Sequence, residues 1–348
     1  MKKRITIYDI AKETGFSVGT VNRALNNKPR IQNSTKKLIL DTANQLGYKA
    51  NAAAQGLRRT PITIGAILFC PIDEYVDAII DGISSSQEDL EKYNVTIDLR
   101  KLEYSTGRKC IEQTIDLIKC FEQNNYNGII LFMSSMIEEM CELSLLIDKL
   151  FEKNIFVATL ANDIPKSKRI FHVGVNAYMA GKMAAEMLEL SCKNESVAMF
   201  VTSTSSPINL EYINGFNDYA QKGIFSNIKI YEHFDDKEKI IDTINCMLDE
   251  NPDLKGIYMS TAGSGIACEY LKSINKKDLS IITTDLLKET PSLLKQKIAT
   301  ATIFQNPYKQ GRDCVKLLYN HIIGKSVSEM HFISPQILLS ANVESYQN

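Results

Sequence analysis

No run of about eighteen or more uncharged apolar residues occurs in the 348-residue chain, which excludes a helix long and apolar enough to cross a bilayer. Paired cysteines are missing too. The eight cysteines, at 70, 110, 120, 141, 192, 246, 268 and 314, are scattered with no Cys-x-x-Cys, and the four histidines, at 172, 233, 321 and 331, show no His-Glu-x-x-His or paired spacing. Zinc and iron–sulfur centres need clustered soft ligands, so no metal site and no cofactor is expected. Most cysteines sit in apolar runs, such as Cys70 after Ile67-Leu-Phe and Cys120 before Phe121, and read as small buried hydrophobes. A Gly-x-Ser-x-Gly elbow and a Walker loop are absent. Ala262-Gly-Ser-Gly-Ile-Ala-Cys268 supplies Gly-x-Gly but places Cys268 where a dinucleotide fingerprint needs a third small residue. A nucleotide-binding α/β enzyme is therefore a remote reading, and no catalytic residue is nominated. After Met1-Lys-Lys-Arg, the residues Asp9, Lys12 and Glu13 interrupt the apolar stretch that a secretory signal requires. A cytoplasmic protein is expected, and a secreted solute-binding protein is disfavoured.

The chain is 44% apolar and 23% charged, ordinary for a globular protein, and at ~150 residues per domain it holds two or three. Its formal net charge of −1 conceals an asymmetry. Residues 1–60 carry twelve Lys/Arg against three acids (Asp9, Glu13, Asp41), a formal +9, whereas residues 61–348 carry 28 bases and 38 acids, a formal −10. Such a split points to a polyanionic partner for one end.

In that basic segment, Ile7, Ile10 and Ala11 recur at helical spacing. Thr6 is placed to cap the helix, with Asp9 three residues on, and Gly15 is placed to end it. Ser17 then caps a second helix, Val18 to about Leu25, facing inward through Val21, Ala24 and Leu25. A third runs from Ser34 to Gly47 with Leu38, Ile39, Ala43 and Leu46 on one face. Two short helices joined by a Gly-bearing turn form the helix-turn-helix plan, and its second helix lies in the major groove with its first side chains at base edges. Val18, Gly19, Asn22 and Arg23 are the outward residues of that helix. Arg23 can bond guanine bidentately, and Val18 can pack on a thymine methyl. Lys2, Lys3, Lys36 and Lys37 suit phosphate, setting affinity and salt slope rather than sequence choice.

The stretch Thr6-Ile-Tyr-Asp-Ile-Ala-Lys-Glu-Thr-Gly-Phe-Ser-Val-Gly-Thr-Val-Asn-Arg-Ala-Leu-Asn26 resembles the headpiece of the lac/galactose repressor family, and Leu46-Gly-Tyr-Lys-Ala-Asn-Ala-Ala-Ala-Gln-Gly-Leu-Arg-Arg59 resembles that family's third-helix end and hinge. The resemblance implies a headpiece at 1–50 and a hinge helix at 51–60. It nominates Thr6, Tyr8, Ser17, Val18, Gly19, Thr20, Asn22, Arg23 and Asn26 in the head, and Asn51, Ala54 and Leu57 in the hinge, as contacts to double-stranded operator DNA. Val18, Gly19 and Arg23 match the positions that carry most of the family's base reading. Asn22 replaces the family's usual serine, which leaves open whether it reads base or phosphate. Leu57 of each subunit is expected to wedge into the minor groove, as apolar side chains do when they unstack a base step. So short a hinge is marginal as a free helix.

From Pro61 onward, apolar β-rich runs at 62–69, 95–102, 128–133, 155–160, 196–202, 227–233, 255–260, 279–284 and 300–304 alternate with helical segments near 76–92, 108–124, 137–153, 176–191, 209–222, 236–250, 264–274, 287–296 and 308–324. This alternation predicts parallel sheets covered by helices, in two doubly wound lobes. The fold class expected is thus a small all-α headpiece followed by an α/β sensor of two such lobes. Ligands bind at the carboxyl ends of strands in these folds. The body, 61–348, resembles the periplasmic-binding-protein-like (type I) sensor domain of the same family. Its tags are Asp81-Gly-Ile, Asn127-Gly-Ile-Ile, Asn162-Asp-Ile-Pro with Ser167-Lys-Arg, Ile213-Asn-Gly-Phe, Thr284-Asp and Gln305-Asn-Pro-Tyr-Lys-Gln-Gly. Three crossings are expected near Asp163, Thr302 and Lys325. They give an N-lobe of 61–163 and 303–325 and a C-lobe of 164–302 and 326–348.

By that resemblance the effector contacts are Asp73, Tyr75, Ser134, Asn162, Tyr212, Asp285 and Gln305, and the hydroxyl-rich run Thr202–Pro207 is either cleft lining or solvated loop. Tyr212 stands where the family has an arginine that clamps effector oxygens. A bidentate cation has become a neutral donor with a flat apolar face. The expected protein is a homodimeric regulator of the repressor type, with a tetramer left open and no membrane partner. It would respond to a sugar or sugar derivative, with a purine, nucleoside or other non-sugar ligand as the alternative.

Overall fold

The computed structural model describes residues 5–25, 28–48, 60–69, 73–103, 108–132, 140–221, 223–233, 237–261, 263–276 and 278–346. The chain divides into two units, 1–60 and 61–348. No helix among the described residues is long and apolar enough to cross a membrane.

The first unit holds α1 (Ile7–Thr14), α2 (Val18–Leu25) and α3 (Asn33–Gln45). Thr6 and Asp9 form the expected capping box, and Gly15, at φ 70°, turns the chain out of α1. The Ser17 hydroxyl accepts from the Thr20 amide at 3.2 Å and so caps α2. Ile10, Val21, Ala24, Ile39 and Ala43 form the core. Leu38 is not part of it and stands 52% exposed. The buried stripe of α3 runs Ile39, Thr42, Ala43 with Leu46 packed beside it. At 3.6 residues per turn Leu38 lies about 100° away from Ile39, toward solvent.

In the second unit the first lobe starts with β1 (Ile62–Leu68), α4 (Asp73–Glu91), β2 (Val95–Lys101), α5 (Arg108–Gln123), β3 (Gly128–Phe132), α6 (Met140–Glu152), β4 (Phe156–Leu160) and β5 (Phe171–Val175). The chain continues through α7 (Ala177–Cys192), β6 (Ser196–Val201), α8 (Pro207–Ala220), β7 (Asn227–Glu232), α9 (Lys237–Glu250), β8 (Leu254–Met259), α10 (Ser264–Ser273), β9 (Ser280–Thr284), α11 (Thr290–Lys295) and β10 (Ala301–Phe304). It ends with α12 (Pro307–Ile322), β11 (Met330–Ile333), β12 (Gln336–Leu338) and a 3₁₀ turn at Val343–Tyr346. One six-stranded sheet has the order β11-β5-β4-β3-β1-β2 and the other β12-β10-β9-β8-β6-β7. Every pairing is parallel except β10 with β12. Central strands such as β3 and β5 are buried throughout, while the edge strands β2 and β7 are half-exposed, as helices on both faces require.

The lobe crossings differ in part from those expected. β5 and β11 both belong to the first sheet, and β12 to the second. The chain therefore passes between lobes at Asn176, at Gln305–Asn306 and at Ser334–Pro335. The N-lobe is 61–176 and 306–333, and the C-lobe is 177–305 and 334–348. The second crossing lies within a few residues of Thr302. The first and third come later than Asp163 and Lys325 because β5, β11 and β12 have only three to five residues each, too short to stand out by composition. The turn at Asp163 stays inside the N-lobe. Its carboxylate binds Arg169 and accepts from Thr159 Oγ1 and the Ile164 amide, both at 2.8 Å, and Arg169 reaches Glu329 at 3.3 Å.

Cys110, Cys192, Cys268 and Cys314 are buried as expected, but Cys120, Cys141 and Cys246 are exposed. On α5 the buried residues are Cys110, Ile111, Thr114, Ile115, Ile118 and Phe121, and Cys120 falls on the opposite face.

Each lobe contains one close helix pair. A methyl group on Gly82 of α4 would lie 2.0 Å from the Tyr308 carbonyl oxygen at the start of α12. One on Gly215 of α8 would lie 1.9 Å from the Tyr178 carbonyl oxygen on α7. Only glycine permits such backbone approach, and it seats Tyr75 (α4) beside Gln310 (α12) and fixes α8, which carries Tyr212.

Candidate functional site

On α2, Val21 and Ala24 face the core. Ser17, Gly19 and Arg23 are exposed, and Val18, Thr20 and Asn22 are half-buried. Arg23 Nη2 donates to Thr20 Oγ1 at 3.3 Å, and the Ser17 and Thr20 hydroxyls are 3.0 Å apart. This polar row orients an arginine at the helix surface. Tyr8 is 69% exposed. The Thr6 hydroxyl donates to Asp9 Oδ2 at 2.7 Å, so it serves the cap. Lys37 is exposed and Lys36 half-buried on α3. Asn26, Asn51, Ala54 and Leu57, together with Lys2 and Lys3, lie outside the described residues.

In the second unit four nominated residues come together where the lobes meet. Asp285 follows β9 at φ 72°, and its carbonyl accepts from Thr302 Oγ1 at 2.7 Å. Gln305, at the second crossing, donates through Nε2 to Asp285 Oδ2 at 2.9 Å. Gln310 of α12 donates to the Gln305 carbonyl at 2.9 Å and to the Tyr75 hydroxyl at 3.1 Å. Tyr212 meets Tyr258 of β8 edge-on, ring centroids 6.3 Å apart. The Lys288 amide, before α11, donates to Glu74 Oε2 on α4 at 2.8 Å, joining the lobes directly. All of Tyr75, Tyr212, Tyr258, Asp285, Gln305 and Gln310 are buried.

Three polar atoms in this cluster have no hydrogen-bond partner in the protein: Asp285 Oδ1, Tyr212 OH and Gln310 Oε1. An unmet buried polar atom costs ~1–3 kcal/mol, and such atoms gathered in one place are what a ligand site leaves open. Burial pushes the Asp285 carboxyl up to about 7, with the hydrogen bonds from Gln305 acting the other way. Burial also raises the Tyr212 phenol well above its ordinary range, and Tyr258, Asp285 and Tyr75 add to the shift.

Asn162 is half-buried in the turn after β4, its amide bonded to the Leu160 carbonyl at 2.8 Å. Ser134 and the side chain of Asp73 lie outside the described residues. The Thr202–Pro207 run is a turn into α8: Asn209 Nδ2 donates to the Ser203 carbonyl at 3.0 Å, and Ser206 precedes the helix. Sequence reasoning missed Glu74, Tyr258, Ser260 and Gln310. Gln310 had a signal, since it lies in the Gln305–Gly311 tag. Tyr258, inside the apolar run Gly256-Ile-Tyr-Met, reads as core. The Cys268 thiol of the partial Gly-x-Gly segment is pushed up to about 12 by burial, which leaves no thiolate for chemistry. A groove between α12 and β11, edged by Lys309, Lys316, His331 and Phe332, holds none of the nominated residues.

Residues 64–326 match the family described as "Periplasmic binding protein domain", and residues 6–51 match "Bacterial regulatory proteins, lacI family". The catabolite control protein A of Priestia megaterium is 26% identical over 206 residues, 59% of this chain and 57% of that protein. The chain thus aligns with little more than half the length of this relative. The HTH-type transcriptional regulator pepR1 of Lactobacillus delbrueckii subsp. lactis is 23% identical over 343 residues, 97% of each chain. The structure of AraP, an arabinose binding protein from Geobacillus stearothermophilus, superposes with a TM-score of 0.72 at 21% identity, covering 83% of this chain and all of that one. At that identity the likeness is one of fold.

Proposed function

Because the chain belongs to the lac repressor family of bacterial regulators, joining a helix-turn-helix head to a periplasmic-binding-protein-type domain, we propose that it is a sequence-specific DNA-binding transcription regulator of the repressor type, controlled by a small molecule held between its lobes. The observation that carries this reading is the set of buried, unpartnered polar atoms around Asp285 and Tyr212, in a protein whose other unit presents Arg23 at the surface of a helix. Two copies reading a palindrome would place two second helices in successive major grooves, with the Leu57 wedges at the centre. The effector need only prefer one lobe arrangement, by the ~1–3 kcal/mol usual for such coupling.

A sugar or sugar derivative suits the carboxylate of Asp285 and the amides of Gln305 and Gln310, clustered where the lobes meet. The three phenols of Tyr75, Tyr212 and Tyr258 favour a flat ring as a second reading, which keeps a nucleoside in view. Selection from random duplexes by the full chain should enrich a palindrome. Arg23→Ala should then lose roughly 1–3 kcal/mol of discrimination at one base pair of each half-site, while binding to random DNA persists. Equal weakening on selected and random duplexes would refute base reading by Arg23.

A further inference from the structure

Resting on the reading of the lobe junction as the effector site, we propose that the effector carries a protonated amine on a small ring, with the ammonium group docked on Asp285 and the ring against Tyr75 and Tyr212. The first ground is the unmet valence of the site. Gln305 satisfies one oxygen of Asp285 and leaves Oδ1 bare. Both Nε2 donations of Gln310 go to protein acceptors, leaving Oε1 bare as well. With Asp285 ionised, these are two orphan acceptors and neither can donate to the other; they call for a ligand rich in donors, and an ammonium offers three with no acceptor of its own.

The second ground is charge. The groups that act on Asp285 and Tyr212 are Gln305, Tyr75, Tyr258 and each other, with no lysine, arginine or histidine among them. The segments following the strand carboxyl ends repeat this bias. Among the described residues at 74–75, 202–206, 260–261, 285–289 and 305–306 the one basic residue is Lys288, against Glu74, Asp285 and Glu289. The β4–β5 turn does hold basic residues. Arg169 there is committed to Asp163 and Glu329 and Lys168 to Glu152, while Lys166 is exposed. An effector with its own anionic group would meet no base among the groups that act on Asp285 and Tyr212, whereas an ammonium meets a carboxylate and phenol faces, which attract cations.

Proton linkage follows. An ammonium binds the ionised form of Asp285, whose carboxyl titrates at about 7 when the site is empty, so affinity should fall as pH drops through that value. Facing the Asp285 carboxyl are Gln305, just after β10, Tyr212 from α8 and Tyr258 from β8, while Thr290 and Thr302 donate to its backbone carbonyl. The phenols among them stay neutral across that window, so Asp285 is the group that titrates.

The test uses matched pairs with the full chain: D-glucosamine against D-glucose, D-galactosamine against D-galactose, and tyramine against its alcohol counterpart. Titration calorimetry and thermal shift are run at pH 6 and pH 7.5. An amine bound at least tenfold more tightly than its uncharged partner, less tightly at pH 6, and losing that preference in Asp285→Asn supports the proposal. Circular dichroism checks that the variant is folded. A neutral member bound as tightly as its amine partner, or no binding by any amine, overturns it. A neutral ligand whose binding still depends on Asp285 overturns the amine alone and leaves the cleft standing. Binding indifferent to both Asp285→Asn and Tyr212→Phe removes the cleft reading itself.

Discussion

Replacing Asp285 by asparagine should flatten the pH dependence of stability in the second unit. Asparagine keeps the shape, tolerates the φ of 72°, and retains an oxygen for the Gln305 donor. In the wild type the folded-state carboxyl sits at about 7 against an ordinary 3.8. Well below pH 3.8 the group is protonated in both the folded and the unfolded chain and contributes nothing. As pH rises toward 7 the unfolded chain releases this proton and the folded chain holds it, so stability declines, and it levels off above 7. Between pH 5 and pH 8 this one group removes roughly 2–3 kcal/mol. Buried His172 acts in the opposite sense: its folded-state value is held down to about 4, so stability is lost as pH falls below 6.5. That contribution is common to both proteins and cancels in their difference. Urea unfolding of the full chain at pH 5, 6.5 and 8, followed by far-ultraviolet circular dichroism, gives the comparison. The variant should gain on the wild type by about 2–3 kcal/mol from pH 5 to pH 8. Parallel profiles would mean that Asp285 is hydrated in solution, and the burial argument would fall.

Two further substitutions probe the frame around the sites. Gly215→Ala places a methyl 1.9 Å from a backbone oxygen, so α7 and α8 must separate. The overpacking cost of ~1–3 kcal/mol exceeds the ~1 kcal/mol that alanine gains in a helix, and thermal melting should show a net loss; an unchanged or higher melting temperature would refute the close approach. Thr6→Ala removes the hydroxyl that the Asp9 amide donates to at 3.4 Å, at ~1 kcal/mol. Hydrogen exchange should speed up at the first amides of α1 and not in α3, and uniform exchange across the head would argue against a local cap.

The long elements were readable because their physics is local. α2 could be placed from a serine cap and a stripe of Val21 and Ala24, and β1 from an apolar run buried on both faces. The lobe boundaries were harder. β5 has five residues, β11 four and β12 three, and so few residues carry little periodicity; their place is decided by partners far along the chain, as His172 pairs with Met330. In the candidate site, Asp285 and Gln305 were nominated because they match the family's effector positions and each follows a strand end. Glu74 and Tyr258 were not, since the bond from the Lys288 amide to Glu74 joins residues 214 positions apart, and a tyrosine in an apolar strand looks like filler. Leu38 misled because an apolar residue beside a true core position satisfies a loose helical pattern.

Gln305 belongs to two structures at once. It clasps Asp285 through its side chain, and through its backbone it is one of the three threads joining the lobes, next to Asn306 at φ 53°. In a regulator of the proposed kind, sensing and transmission would then need no relay between them: whatever pulls on Asp285 pulls on the tether. Most of the cleft wall would consequently be free to change its chemical taste over evolutionary time, with the linkage to lobe angle left intact. A compound that filled the tyrosine side alone would occupy the protein without instructing it.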